Sequence, residues 1–196
     1  VHPSVPVKTL AELVAYGKAN PGKLHYLNPG NGSSIHLSAE LLKSHSKFDM
    51  VSVPYKGIPP GMPDLLEGRL QVGLLPGPLA HQHIEAGKLR PLAVLADKRL
   101  PQLPAVPTFA EVGFGDAQVT SWYVIAVRAG TPPAVVNRIH GAAMKALQSP
   151  ATQERLAKAG CNVPAPRSPA EILAMWKADY ARYSKLVKEA GIATQS

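Results

Sequence analysis

Residues 28–42 read NPGNGSSIHLSAELL, and the reading of this stretch decides the fold. Gly30, Gly32, Ser33 and Ser34 lead straight into an apolar, helix-like run. Glycine permits the positive φ of a tight turn, and serine caps a helix. The same features leave backbone N–H groups uncovered at a helix N-terminus, whose partial positive charge makes an anion seat. No lysine follows as in a GxxxxGK[ST] phosphate loop, and Ile35 stands where G-x-G-x-x-G needs its last glycine. Two readings stay open: a ligand-contacting loop, or an ordinary strand-to-helix connection.

Working outward, 24–28 (LHYLN) reads as the strand before this turn and 34–44 as the helix after it, with Leu37, Leu41 and Leu42 on one side. Upstream, 9–20 is a helix with Thr9 and Glu12 spaced as a capping box. Downstream, 50–55 reads as a strand, IPPGMPDLLEGR as a turn and short helix, and 70–75 as a strand. A helix at 78–86 stopped by Gly87 and a strand at 89–96 follow. This βαβα alternation predicts an α/β fold with a parallel or mixed sheet covered by helices. Ligands of such sheets sit outside the carboxyl ends of the strands, where the NPGNGSS turn falls.

Beyond a loop at 97–107 and a short helix at 108–112, VTSWYVIAV (119–127) is the longest apolar strand candidate. Three helices are predicted after it, at 132–148, from Ser149–Pro150 towards Gly160, and from 168 to about 190, where Ser168 and Glu171 form a second capping box. The expected organisation is an α/β lobe at 1–118, then a crossover strand and helices at 119–196 that need something to pack on.

Charge and composition exclude several classes. The net charge of +8 comes from 21 Lys and Arg against 13 Asp and Glu, yet the basic residues are scattered, from Lys8 and Lys18 to Arg182 and Lys188. Such scatter reads as a solvated surface, so no nucleic-acid partner is expected. The single cysteine, Cys161, excludes an internal disulfide and a cysteine-rich metal site, and reads as structural. No run reaches the length of a membrane-spanning helix. The chain opens on Val1 without a signal-peptide pattern, and is expected to be a mature or partial chain.

No catalytic constellation emerges. His36 lies two residues after Ser34, but no acid is placed to orient it and the GxSxG elbow is absent, so a hydrolase reading is set aside. A helix-start histidine that bonds locally or touches a ligand remains. In VPYKG, Tyr55, Lys56 and Gly57 leave a strand beside the same strand ends, where Lys56 or its backbone is either a carboxylate neighbour or a solvated turn. His81 and His83 are two apart on a helix and point to different faces, so no metal is expected. Trp122, Tyr123, Trp176, Tyr180 and Tyr183 read as core, the last three forming one helical stripe.

Laid end to end, these pieces resemble the periplasmic solute-binding proteins of tripartite tricarboxylate transporters, the TctC or Bug family. The resemblance rests on VHPSVPVKTLAELVAYGKANPGKL, NPGNGSSIHLSAELLK, VPYKG, DLLEGRLQV, IEAGKLRPLAV, LPAVPTFAEVG and TSWYVIAVRAGTP in that order, and covers essentially the whole chain. It implies a type II periplasmic-binding-protein-like fold: one complete α/β lobe plus C-terminal helices belonging to an incomplete second lobe. It also implies a periplasmic location, membrane permease subunits as partners, and a small carboxylate bound without chemistry or cofactor. The ligand residues implied are Asn28, Gly30, Asn31, Gly32, Ser33, Ser34 and His36, joined by Tyr55, Lys56 and Gly57. Family members carry further chain upstream, including a second ligand loop rich in proline and glycine. Without it, binding by this chain is expected to be weak or absent. Many relatives place a polar or acidic residue where this chain has LLPGP (74–78), and Leu75, Pro76 and Gly77 offer no side-chain hydrogen bond, which favours a plain carboxylate over an amino acid. The apolar faces of the C-terminal helices predict a homodimer. The alternative reading is the effector-binding domain of a LysR-type transcriptional regulator, which shares the two-lobed architecture.

Overall fold

Thr9 and Ser33 show how local chemistry starts the helices of this chain. In the computed structural model, which describes residues 1–119, 122–158 and 165–189, helix α1 (Leu10–Ala19) begins where Thr9 Oγ1 accepts the Glu12 N–H at 3.1 Å. The returning Glu12 carboxylate takes the N–H of Lys8, one residue before the cap, at 2.6 Å. Strand β1 (His25–Asn28) follows, then α2 (Ser34–Ser46), capped by Ser33, and strand β2 (Val51–Pro54). A short 3₁₀ turn, Pro59–Gly61, leads into α3 (Met62–Leu66), and α4 runs from Gly77 to Glu85.

β1 and β2 pair in parallel with α2 as the crossover, in the register His25↔Val51, Tyr26↔Ser52, Leu27↔Val53 and Asn28↔Pro54. Tyr26 also bridges Val72 in parallel, so a third segment lies on the free side of β1. That segment was expected to be a full strand at 70–75 and is instead a single bridge. Gly73 follows Val72, and a Cβ on it would lie 2.6 Å from Leu65 Cδ2, so the chain uses a glycine to close over α3 at the expense of the ladder. The expected strand at 89–96 is likewise reduced to one bridge, Val94↔Thr108, because Pro91 has no N–H to donate. At 108–112 the expected helix is a turn. Thr108 and Glu111 do exchange capping bonds, at 2.6 and 3.1 Å, but Gly113 takes φ +85° and Phe114 N–H returns to Phe109 O at 2.8 Å, closing the chain on itself.

The described residues divide into two compact units, 1–119 with 185–189, and 122–158 with 165–184. The core of the first unit is built from Leu27, Met62, Leu65, Leu70 and Leu89, with Val53, Tyr55 and Ile58 packed against it. At its far end Gly17 lets Phe48 approach α1, since a Cβ there would lie 2.3 Å from Phe48 Cδ2.

The second unit contains α5 (Pro133–Leu147) and α6 (Pro150–Lys158), and most of α7 (Pro169–Glu189). Ser168 and Glu171 close the expected capping box, with Ser168 N–H on the Glu171 carboxylate at 2.7 Å and Glu171 N–H on Ser168 Oγ at 3.3 Å. Trp122 Nε1–H donates to Asp179 Oδ2 at 2.7 Å. Residues 122–127 form no strand, because an apolar run becomes one only where a neighbour pairs with its backbone, and none does among the described residues. Residues 120 and 121 of that expected strand, with Gly160, Cys161 and 190, lie outside the described residues. The expected burial of the aromatics is corrected too: Tyr123 is 89% exposed, Trp176 50% and Tyr180 69%. Trp122 and Tyr183 are half-buried. Helical spacing marks a face that is able to bury, and within this unit most of that face remains in solvent.

Candidate functional site

Asn28, the last residue of β1, has no exposed surface and organises the turn that follows it. Its Oδ1 accepts the Gly30 N–H at 2.9 Å, while its Nδ2 donates to Asn31 Oδ1 at 2.8 Å and to Ser52 Oγ on β2 at 3.0 Å. A buried amide satisfied on both ends holds its neighbours in one arrangement. Gly30 and Gly32 then turn the chain at φ +145° and +79°, values only glycine takes freely. Ser33 caps α2, its Oγ accepting the His36 N–H at 3.2 Å.

The expected uncovered amides are partly occupied by the turn itself. Ser33 N–H donates to Gly30 O at 3.2 Å, and Gly32 N–H donates to His36 Nδ1, also at 3.2 Å. The imidazole sits four residues on, so the first turn of the helix brings an acceptor back over the glycine. That bond uses the lone pair of Nδ1, which places any proton of a neutral ring on Nε2. Asn31 and Gly32 are exposed, and Gly30, Ser33, Ser34 and His36 are half-buried.

The turn after β2 lies against the first. Tyr55 N–H donates to Asn28 O at 2.8 Å, and Gly57 N–H to Pro29 O at 3.0 Å. The ten expected residues therefore lie on or directly beside two adjoining turns at the carboxyl ends of parallel strands, Asn28 closing β1 and Ser34 and His36 in the first turn of α2. Lys56 is exposed and makes no ion pair with a described residue.

Sequence reading missed Ser52, Asp64 and Arg69. The Tyr55 hydroxyl donates to Asp64 Oδ2, and Arg69 donates to Asp64 Oδ1 through Nε at 2.9 Å and Nη2 at 2.6 Å. The Tyr55 hydroxyl, and then Arg69, hold the Asp64 carboxyl below its usual range, while the Asp64 carboxylate pushes the Tyr55 hydroxyl up. Nothing in the local pattern signals this cluster, because Tyr55, Asp64 and Arg69 meet only through the fold.

A separate apolar groove is lined by Pro59, Met62, Pro63, Leu66 and Leu79, with Glu67, His83 and Lys88 around them. It includes none of the ten residues. His81 Nε2 lies 3.4 Å from Glu85 Oε1, and His83 lines this groove. The described residues contain no cluster of three or more His, Cys, Asp or Glu able to hold a metal, and no described helix is long and apolar enough to cross a membrane.

A βαβ unit that presents glycine-bearing turns at the carboxyl ends of its strands belongs to the class of open α/β lobes that hold ligands at strand ends. Comparison with known proteins narrows the class. The family model described as tripartite tricarboxylate transporter family receptor matches residues 1–192, and the chain belongs to this family. A UPF0065 protein of Cupriavidus necator is 39% identical over 153 residues, which are 78% of this chain and 46% of that protein. The structure of R. palustris Rpa4515 with adipate superposes with a TM-score of 0.84 at 35% identity, over 98% of this chain and 64% of that one. The periplasmic binding protein BugD superposes at 0.80 with 30% identity, over 97% of this chain and 64% of its own. The chain thus spans about half the length of the C. necator relative. The fold is that of a periplasmic binding protein.

Proposed function

We propose that this chain is part of a periplasmic solute-binding protein that captures a small carboxylate and passes it, unchanged, to membrane permease subunits. Residues 1–118 serve as the ligand-binding α/β lobe, and 119–196 as the crossover segment and helices of the other lobe. The observation that carries this reading is the pair of backbone bonds, Tyr55 N–H to Asn28 O and Gly57 N–H to Pro29 O, which joins two glycine-bearing turns at one strand end. The family and the adipate-holding neighbour support it.

On this reading a carboxylate oxygen takes the Gly32 N–H in place of His36 Nδ1. The exchange is favourable because an ionised acceptor makes a hydrogen bond roughly twice as strong as a neutral one. Asn28, Gly30 and Asn31 keep the turn in shape, the hydroxyls of Ser33 and Ser34 and the freed His36 ring offer further polar contacts, and Lys56 adds positive charge. Charge-assisted bonds contribute about 1.5–3 kcal/mol each, so two of them correspond to roughly millimolar binding by this lobe alone. The ligand is a mono-, di- or tricarboxylate rather than an amino acid, since 74–78 supplies no acidic partner for an ammonium group. Exposed Ile125, Val135, Leu173 and Trp176 support burial of the helical faces against protein, which for this chain alone means a second copy.

Calorimetric titration with adipate, succinate and citrate tests the reading. The expected result is saturable binding near the millimolar range, weakened about threefold by Lys56→Ala, the effect of one exposed charge. Absence of saturable binding by all three acids would overturn it. Light scattering tests the assembly, and a monomer at every concentration contradicts the dimer.

A further inference from the structure

We propose that Asp64 and Arg69 are positioning residues of this site: they anchor the Tyr55 side chain and, through it, hold the 54–57 turn against the 28–34 turn. The inference rests on the reading that a carboxylate sits at these turns, and neither residue touches the ligand.

The anchor begins in the core. Leu65, fully buried, and Met62 fix α3 against Leu27 and Leu70, and Leu70 N–H donates to Asp64 O at 3.0 Å. Asp64 therefore stands on a short helix held by core packing on its own neighbours. Gly61 lets β1 and the Tyr55 ring approach the start of that helix: a Cβ there would lie 2.8 Å from Leu27 Cδ1 and 3.0 Å from Tyr55 Cδ2. The ring passes over this point and its hydroxyl reaches Asp64 Oδ2, while Arg69 secures Oδ1 with two N–H groups. Arg69 is itself paired to Glu67, and it holds the Asp64 oxygen that Tyr55 does not use.

The main chain of Tyr55 carries the effect to the site. Its N–H is bound to Asn28 O, and two residues later Gly57 N–H is bound to Pro29 O. With the ring clamped, Lys56 is suspended between two fixed neighbours. Without the hydroxyl bond, the ring keeps only its apolar packing and the turn only those two backbone bonds, in a part of the surface open to water. A flexible turn loses affinity because binding must then order it.

Amide hydrogen exchange on the ligand-free protein tests the anchor directly. In Tyr55→Phe, which removes one oxygen and keeps the ring, the Tyr55-position and Gly57 amides are expected to lose protection by roughly threefold to tenfold, the range of one partly exposed charge-assisted bond. The Leu27 amide, bound to Val72 O at 3.0 Å, should not change. Asp64→Ala should act alike and Asp64→Asn, which keeps an acceptor for the hydroxyl, should recover most of the loss. Unchanged protection at 55 and 57, or loss spread equally to Leu27, would overturn the anchor. Adipate affinity is read on the same proteins, and a fall in Tyr55→Phe matching the lost protection supports the positioning role. Affinity that stays unchanged while protection falls overturns that role. A wild-type protein that binds no adipate removes the site reading and the positioning role with it, and leaves the exchange result to decide whether the anchor exists.

Discussion

Leu65 on α3 and Trp176 on α7 are both large apolar residues on amphipathic helices, yet Leu65 has no exposed surface and half of Trp176 faces solvent. The first unit surrounds its apolar residues with β1, α3 and the segment around Val72, so each stripe meets another. In the second unit Tyr123, Ile125, Leu173, Trp176 and Tyr180 all remain exposed. A helical stripe states what a face is able to bury, and only its counterpart decides whether burial happens. The proposed function follows the same division, since both proposed ligand turns belong to the first unit.

Removing the core that supports those turns should give the largest effect. Leu65→Ala is expected to cost about 2–5 kcal/mol, the range for a buried leucine, in denaturant unfolding followed by a probe in the first unit. A loss below 1 kcal/mol would mean that α3 is not the support described. Asn28→Ala should come next, at about 1–3 kcal/mol, because the Gly30 N–H and Ser52 hydroxyl lose a buried partner. Ser168→Ala should cost about 1 kcal/mol, the usual worth of a helix cap, and should show as faster exchange at the start of α7 and nowhere in β1.

Acid should loosen the turns through Asp64, and separately weaken the Ser168–Glu171 cap of α7, where the Ser168 bonds hold the Glu171 carboxyl below its ordinary range. Asp64 titrates below its ordinary value of 3.8, so its contribution is present above that value in full and is lost as pH falls through the depressed one. Tyr55 titrates above its ordinary 10.0, so its hydroxyl remains a donor below that and is lost only as pH rises through the raised value. Protection of the Tyr55 and Gly57 amides should therefore hold through neutral pH and fall on the acid side, and Asp64→Asn should abolish that fall. The smallest effect is expected at the exposed face, where Trp176→Ala should change stability by no more than about 0.5 kcal/mol while the chain is monomeric. A cost of several kcal/mol in the monomer would mean that this face is already buried within the chain, and would break the comparison.

What the sequence disclosed follows the range of the interactions. The caps at Thr9, Ser33 and Ser168 and the stop at Gly87 act within four residues, and the helices they bound lie within two residues of their expected ends. The turn from Asn28 to Ser34 was legible for the same reason, and the link to Tyr55–Gly57 followed from strand ends in a βαβ unit. The segments 70–75 and 89–96 carry strand-like composition but form single bridges, because Gly73 and Pro91 interrupt them and a ladder depends on a distant neighbour. Asp64 and Arg69 stand nine and fourteen residues from Tyr55 and were invisible for that reason. The return of His36 onto Gly32 was within local reach and partly legible, as a histidine that bonds near its own helix start.

The most direct test is to follow the backbone amides by NMR while adipate is added to the protein at millimolar concentration. The account expects the largest shifts at Gly32 and its neighbours in 28–36, and smaller ones at 55–57, with His36 losing its contact to Gly32. Shifts centred on Met62, Leu66, Leu79 and His83, with the two turns silent, would place the ligand in the apolar groove and contradict it.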